Sequence, residues 1–186
     1  DHRSPWFHLW IRVVLNSYTK KYIEQIIMDY KLPYKASGNN VYIYGYAVEC
    51  DLLILKQDSK AIFEAPEIYR AEDVITIIES KATGIFIDKK KPKNPFLNEL
   101  CMVKQLNDKG VGVKFAYISL AEQISGRSSR LLDEANRYIN EYSNEKNQNK
   151  GVYCFSKTYP EDEYPLYEGN PYSFDEYIKY LCDDFS

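Results

Sequence analysis

VYIYGYAVECDLLIL (residues 41–55) and VITIIESK (residues 74–81) are the two runs that decide the fold of this chain. Both are apolar and rich in Val, Ile and Tyr, which is the composition of buried β-strands. We expect them to form neighbouring strands of one sheet. Asp51 lies in the last part of the first run, and Glu79 and Lys81 lie in the last part of the second. Charged groups therefore end two strands whose other residues suit a protein core.

These charged groups need partners, because burying an unpaired carboxylate or ammonium costs several kcal/mol. Glu79 and Lys81 are two residues apart on a predicted strand, so they project from one face, whereas Ser80 turns away and leaves its carbonyl near the site. Asp51, Glu79 and the Ser80 carbonyl then offer hard oxygen ligands to Mg²⁺, which prefers waters and phosphate oxygens for the rest of its shell. Lys81 would orient an attacking water or stabilise negative charge on phosphorus. This chemistry is phosphodiester hydrolysis.

The pattern Asp51…Glu79-x-Lys81 resembles the PD-(D/E)xK nuclease superfamily, the restriction-endonuclease-like fold, over roughly residues 16–120. The sequence around these residues is also similar to that of an uncharacterised prokaryotic subgroup of nuclease-like proteins. The resemblance implies an α/β fold with the core order α-β-β-β-α-β, a central mixed sheet flanked by helices, and extra C-terminal helices. One departure is Cys50, which stands before Asp51 where the family has a proline.

The same resemblance implies roles for individual residues. Asp51 and Glu79 would bind Mg²⁺ or Mn²⁺ together with the Ser80 carbonyl, and Lys81 would be the catalytic lysine. Many members of the superfamily add a glutamate from the first helix, and Glu24 is the best placed candidate for it. Some members place an auxiliary residue on the second core helix, where Lys104 and Gln105 lie, but nothing in the sequence selects either of these two.

Acid-x-Lys triplets occur several times in this chain. The triplet at residues 79–81 is therefore distinguished by its position in the predicted fold and not by its residues alone. Such triplets also occur at residues 29–31, 58–60 and 88–90, all in segments that read as helix ends or turns. The triplet at residues 79–81 differs, because it ends an apolar strand that follows an Asp-bearing strand and a helix. The position therefore favours a site at Glu79 and Lys81, and an inactive relative of the nucleases is the main alternative.

The function that these residues predict is a metal-dependent nuclease, with DNA as the default substrate. One alternative is a nuclease-fold module that binds nucleic acid or protein without cutting it. Another is an RNA endonuclease of the same fold, because contacts to the 2′-hydroxyl cannot be read from a sequence. The resemblance also makes a homodimer and a role in prokaryotic defence or DNA processing reasonable expectations.

Composition sets the outer limits of this interpretation. With 186 residues, of which 45% are hydrophobic, we expect one domain over 1–186, with a core at about 16–120 and a C-terminal elaboration at about 121–186. The chain begins at Asp1 rather than Met, so we expect further residues upstream. The four cysteines are scattered, which argues against a zinc site and fits a reducing cytoplasm. No apolar run approaches the roughly 20 residues that a membrane helix needs, so we expect no membrane span.

A net charge of −3 gives no overall attraction to nucleic acid, so binding would need a local basic patch. The candidate patch consists of four lysines, Lys89, Lys90, Lys91 and Lys93. They could contact phosphates without reading sequence, or form a solvated loop. Most of the 18 tyrosines look like half-buried residues. Tyr42, Tyr44 and Tyr46 alternate on one predicted strand face, which makes them the best candidates for stacking on bases.

The remaining elements follow from periodicity and turn residues. We expect helices at 18–30, 94–106, 131–142 and 173–182, and further strands at 113–120 and 151–155. Residues 41–55 are expected to be two strands bent at Gly45 or a hairpin with a bulge there. Residues 61–69 are expected to be a short edge strand or an irregular connection.

Overall fold

A computed structural model describes residues 19–81, 97–121, 139, 141–142, 152–156 and 174–182 of this chain. Its elements follow in chain order: α1 (19–30), β1 (Tyr34–Ala36), β2 (Val41–Ile43), β3 (Glu49–Cys50), β4 (Leu52–Lys56), β5 (Phe63–Glu64), β6 (Glu67–Tyr69), β7 (Val74–Lys81), α2 (Leu97–Asp108), β8 (Lys114–Ala121), α3 (139 and 141–142), β9 (Val152–Ser156) and α4 (Phe174–Cys182). A single 3-10 turn, Ala71–Asp73, leads into β7. None of the helices among these described residues is long and apolar enough to cross a membrane.

The central sheet has five strands in the order β1-β4-β7-β8-β9. β4 pairs antiparallel with β1 and with β7, whereas β7, β8 and β9 pair parallel. The sheet is therefore mixed, and the order α1, β1, β4, β7, α2, β8 is the helix, three strands, helix and strand expected from the sequence. The predicted α/β class is confirmed, as is the pairing of the two runs that carry Asp51 and Glu79.

A second sheet of four short strands, in the order β3-β2-β6-β5, is built from the connections between β1, β4 and β7. One of its faces is buried and is formed by Val41, Ile43, Cys50 and Tyr69. These residues join a core cluster with β4, β7, β8 and α2 on one side of the central sheet. A second cluster on the other side holds residues of α1 and α4. Because both faces of β4 and β7 are covered, their residues are buried one after another instead of alternating.

The first helix ends where the sequence predicted, just before Pro33. Lys31 takes the left-handed conformation with φ of 52°. Its N–H donates to the Met28 carbonyl, and the Leu32 N–H donates to the Ile27 carbonyl at 2.9 Å. This pair of bonds satisfies the last carbonyls of α1 and turns the chain into β1.

The run at residues 41–55 contains a hairpin, one of the two arrangements expected, but Gly45 lies in its turn instead of forming a bulge, and a third strand follows. β2 ends at Ile43, and the chain turns at Gly45 with φ of 86°, a conformation that favours glycine. It returns as β3, which pairs with β2, and then leaves the second sheet at Asp51 to enter the central sheet as β4. Asp51 thus lies between β3 and β4, directly before the first residue of β4, and not in the last part of a strand. The prediction of its position within the strand was wrong, because one apolar run supplies strands to two sheets.

Residues 61–69 form two short strands, β5 and β6, joined by the cis peptide bond between Ala65 and Pro66. β5 is an edge strand of the second sheet, so this part of the expectation is confirmed. β6 is paired on both sides, with β2 and with β5, and is a regular inner strand. Composition alone did not reveal the second strand, because the segment carries several charged residues.

α4 is fastened to the central sheet through its C-terminal carbonyls. The Lys114 Nζ donates to the Tyr180 carbonyl at 2.6 Å, and the Thr76 hydroxyl donates to the Leu181 carbonyl at 2.6 Å. Thr76 and Lys114 are direct neighbours in the pairing of β7 with β8, and both are buried. The ammonium also lies 4.9 Å from the centre of the Tyr180 ring. A cation at a helix C-terminus is favourable, because the last carbonyls carry partial negative charge.

Tyr69 gives the stability of the second sheet a dependence on alkaline pH. Burial, followed by the hydrogen bond from the Tyr69 hydroxyl to Glu67, raises the pKa of Tyr69 to about 12. The fold thus favours the neutral phenol, and its stabilisation is complete below the unfolded pKa of about 10 and is lost as pH rises through the folded pKa. Between about pH 9 and about pH 11.5 we expect the wild-type chain to lose roughly 2 kcal/mol more unfolding free energy than Tyr69→Phe. Urea titrations of both proteins at the two pH values would check this, and equal losses would contradict it.

Candidate active site

Asp51 and Ser80 are joined by two hydrogen bonds, although they lie 29 positions apart in the chain. The antiparallel register pairs Leu52 with Ile78, so the start of β4 lies beside the end of β7. The Asp51 Oδ2 accepts from the Ser80 N–H at 2.8 Å and from the Ser80 hydroxyl at 3.1 Å. Both residues are 1% exposed. The structure thus brings together the two strand segments from which the sequence predicted a site.

The same bond indicates where the Ser80 carbonyl lies. In a β-strand, the N–H and the carbonyl of one residue point towards the same neighbouring strand. Since the Ser80 N–H faces Asp51, its carbonyl faces the same side of β7.

Glu79 is the second buried carboxylate of the site and is 3% exposed. It precedes the residue that binds Asp51, and it pairs in the sheet with Tyr117 of β8. The alternation of β7 places it on the face of Ile77, which belongs to the core cluster beneath α2. Lys81 is the last residue of β7, with its backbone opposite Ser119 of β8. The described part of the structure includes the backbone of Lys81 and not its side chain.

Glu24 occupies a different environment from these residues. It lies on the solvent-exposed face of α1, with its side chain 53% exposed and 3.9 Å from the Lys20 ammonium. The buried face of α1 consists of Thr19, Ile23 and Ile26, and the two isoleucines pack on Leu52 and Ile54. The periodicity of the sequence predicted that Ile23 and Ile26 face the core, and Glu24 is next to Ile23 in the chain.

Glu99 was not selected from the sequence, yet the structure buries it to 8% exposure in the first turn of α2. Its neighbours on the same helix face are Val103 and Leu106, which are fully in the core. The sequence spacing did indicate that residue 99 is buried, because residues 99, 103 and 106 are four and three positions apart, as on the buried face of a helix. A carboxylate at a core position of a helix is unusual and marks a residue that needs explanation. Lys104 and Gln105, by contrast, are exposed, and Lys104 forms an ion pair with Asp108 at 3.1 Å.

The pKa of the Cys50 thiol is affected by several acidic side chains. Burial raises the pKa of the Cys50 thiol above its ordinary value, and the charges of Glu79 and Glu99 raise it further, followed by those of Asp51 and Glu49. The thiol is 0% exposed and stays protonated. The carboxylates that raise this pKa thus come from β3, from Asp51 before β4, from β7 and from α2.

The donor set suits one kind of metal better than another. Within the described residues, no group of three or more His, Cys, Asp and Glu side chains is placed to hold a metal ion. Zinc sites in proteins require such a group. Mg²⁺ instead accepts one or two carboxylates and keeps waters or phosphate oxygens in its remaining positions. Asp51, Glu79 and the Ser80 carbonyl fit that second pattern.

The remaining residues predicted to contact nucleic acid are four lysines and three tyrosines. Lys89, Lys90, Lys91 and Lys93 lie outside the described residues. The three tyrosines expected on one strand face are not equivalent, because β2 ends at Ile43. Tyr42 lies in β2, Tyr44 lies in the turn with 63% exposure, and Tyr46 lies beyond it with its hydroxyl 3.1 Å from the Lys109 ammonium. Only Tyr42 and Tyr44 remain candidates for one common face.

Comparison with known proteins gave matches among solved structures alone. No protein-family model matches the chain, and no curated protein matches it. The cAAA-bound form of NucC from P. aeruginosa ATCC27853 matches with 13% identity and a TM-score of 0.42, covering 74% of this chain and 72% of NucC. NucC from E. coli MS115-1 matches in its apo form, with 11% identity, a TM-score of 0.37 and coverage of 66% and 68%. Its cAAA-bound form has 14% identity, a TM-score of 0.35 and coverage of 74% and 72%.

Proposed function

We propose that this chain is a metal-dependent nuclease that hydrolyses phosphodiester bonds, with DNA as its main substrate. The observation that carries the proposal is the contact between the buried Asp51, directly before β4, and Ser80 near the end of β7, next to the buried Glu79. Burying two carboxylates so close together is unfavourable unless a cation or another partner compensates for their charge. A divalent cation at this position would offset that cost and bind the phosphate of a substrate.

The residues that would hold Mg²⁺ or Mn²⁺ are Asp51, Glu79 and Ser80, the last through its carbonyl. A bound cation of this type polarises a phosphoryl oxygen and lowers the pKa of a coordinated water. The Ser80 N–H and hydroxyl fix Oδ2 of Asp51, so this carboxylate keeps one orientation. Such preorganisation matters, because a misplaced ligand reduces the rate of a positioned reaction.

Lys81 would act on the reacting groups, as the sequence predicts. An ammonium near the attacking water keeps it oriented, and it stabilises negative charge that develops on the phosphoryl oxygens. Glu99 lies on the same side of the sheet as Glu79 and adds negative charge next to Cys50. We assign Glu99 no direct role in holding the cation, in keeping with the donor set of the described residues.

The first test is calorimetric titration of Mn²⁺ into the wild-type chain and into an Asp51→Ala/Glu79→Ala variant. We expect the wild type to bind Mn²⁺ and to cut plasmid DNA, and we expect the variant to do neither, because it lacks both carboxylate ligands. The same assay on single-stranded RNA separates a DNA enzyme from an RNA enzyme. Circular dichroism of both proteins would verify that each is folded.

The matched control is Asp58→Ala/Glu72→Ala, which removes the same two charges from exposed positions. We expect it to behave as the wild type does, so a loss in the control would mean that overall charge and not the site is responsible. If the folded wild type binds no Mn²⁺, the proposal of a metallonuclease is wrong and a non-catalytic module becomes the better explanation.

A further inference from the structure

The second sheet has an open face as well as a buried one. Its four strands place Glu49, Tyr42, Ile68 and Phe63 side by side in one row, in the order β3-β2-β6-β5. Phe63 is 56% exposed, whereas Val41, Ile43, Cys50 and Tyr69 on the opposite face of β2, β3 and β6 are buried. We call this row, together with Tyr44 and Arg70, the open face. A row in which Phe63 is exposed and Tyr42 and Ile68 are half-buried, beside the exposed Glu49, needs an explanation.

Tyr44 and Arg70 extend the open face by one further row. The Tyr44 N–H donates to the Tyr69 carbonyl at 2.8 Å, which continues the parallel pairing of β2 with β6 for one step. Tyr44 is 63% exposed, and Arg70 is exposed as well. No ion pair joins Arg70 to another of the described residues. The face thus combines exposed rings with one guanidinium that has no carboxylate partner in the described part of the chain.

The open face ends close to Asp51 in the chain. Glu49 ends the row in β3, and the chain runs from it through Cys50 directly to Asp51, which is buried. The Tyr42 hydroxyl donates to the Glu49 carboxylate at 3.0 Å at this end of the row. A polymer lying along the row from Phe63 towards Glu49 would therefore reach a residue two positions before Asp51.

We propose that the open face binds a single nucleic-acid strand by stacking its unpaired bases on Tyr42, Tyr44 and Phe63, with Arg70 on a phosphate. Aromatic rings on an open sheet are suited to this, because every base has a π-face and the interaction tolerates any sequence. A duplex does not fit, since its bases are already stacked on one another. The inference rests on the proposed function for the class of polymer and extends it to unpaired substrate.

The net charge of −3 shapes the energetics of this binding. With one guanidinium on the open face, stacking and not phosphate neutralisation supplies the main attraction there. Each phosphate contact contributes a slope of about −0.7 to the logarithmic dependence of single-strand affinity on salt. Arg70→Ala should therefore make the salt dependence shallower by about that amount, whereas removing a ring should leave the slope unchanged and lower the affinity at every salt concentration.

The experiment measures fluorescence anisotropy of a labelled oligothymidine of about 12 nucleotides, within the site sizes of such surfaces, in EDTA so that no cleavage occurs. We expect Tyr42→Leu, Tyr44→Ala and Phe63→Ala each to weaken binding about fivefold or more. Tyr42→Phe should weaken binding less than Tyr42→Leu does, because it retains the ring and loses only the hydroxyl bond to Glu49. The matched control is Tyr30→Ala, which removes an aromatic ring that is 54% exposed on α1.

The outcomes separate this inference from the proposed function. Binding that depends on the rings, in a chain that does not cleave with Mn²⁺, would support the open face and contradict the nuclease. Cleavage with unchanged oligothymidine binding in all three ring variants would overturn the open face and leave the nuclease standing. An unlabelled duplex that competes as well as the single strand would also overturn it. So would a dimer that Phe63→Ala dissociates, because the face would then be a contact between two copies of the chain.

Discussion

Lys81→Ala is expected to bind Mn²⁺ as tightly as the wild-type chain and to cleave DNA about a hundred- to a thousandfold more slowly. The reason is that Lys81 is proposed to act on the water and the phosphoryl oxygens and not as a ligand. Removing one preorganised group that stabilises charge in a transition state typically costs this much in rate. Single-turnover cleavage of plasmid DNA, combined with calorimetric Mn²⁺ titration, measures the two properties separately.

Lys104→Ala is the matched control for this prediction. It removes a lysine from the exposed face of α2, where the ammonium pairs with Asp108. We expect wild-type cleavage from it, because an exposed ion pair contributes little to stability or to chemistry. Wild-type cleavage by Lys81→Ala would contradict the mechanism. Loss of Mn²⁺ binding together with cleavage would instead show that Lys81 organises the metal site.

Lys114→Ala is expected to lower the free energy of unfolding by about 3–5 kcal/mol. The side chain is 2% exposed, and its ammonium donates to the Tyr180 carbonyl at the end of α4. Truncation leaves that carbonyl without this donor and opens a cavity beneath the helix. Urea unfolding, monitored by circular dichroism, gives the free energy of each variant.

Two variants divide this loss into its parts. Lys114→Met keeps most of the packing, so its expected cost of about 1–3 kcal/mol reports the lost hydrogen bond. Thr76→Val removes the neighbouring bond to Leu181 and should cost about 1–2 kcal/mol. We expect the double variant to be non-additive, because both donors hold the same helix end. A Lys114→Ala protein within about 1 kcal/mol of the wild type would show that the α4 anchor contributes little.

The sequence predicted β4, β7, β8 and β9 of the central sheet, because these strands have strong local signals, but it did not predict the three-residue β1. β7 contains a run of Val, Ile and Thr, β8 contains Phe, Tyr, Ile and Leu, and the positions of Ile23 and Ile26 identify the buried side of α1. The second sheet was harder to predict, since β5 and β6 contain charged residues and span only two and three positions. Strands this short carry no clear period.

The division of residues 41–55 between two sheets is reflected in the order of buried and exposed residues along the run, although the whole run has one apolar composition. Val41 and Ile43 are buried while Tyr42 between them is not, which is the alternation of a sheet with one open face. Leu52, Leu53, Ile54 and Leu55 are buried in succession, which is typical of a strand covered on both faces. The change of pattern falls at Asp51, which lies between β3 and β4.

By itself, the sequence predicted the main helices and the longer strands, and it singled out Asp51, Glu79 and Ser80 from local composition and spacing. The tertiary structure alone decided that Asp51 lies directly before β4, that its carboxylate binds Ser80, that Glu24 faces solvent and that Glu99 is buried. The physical reason is that periodicity is set by neighbours a few residues away. Contacts between residues 29 positions apart depend on strand register and helix packing, which only the whole fold fixes.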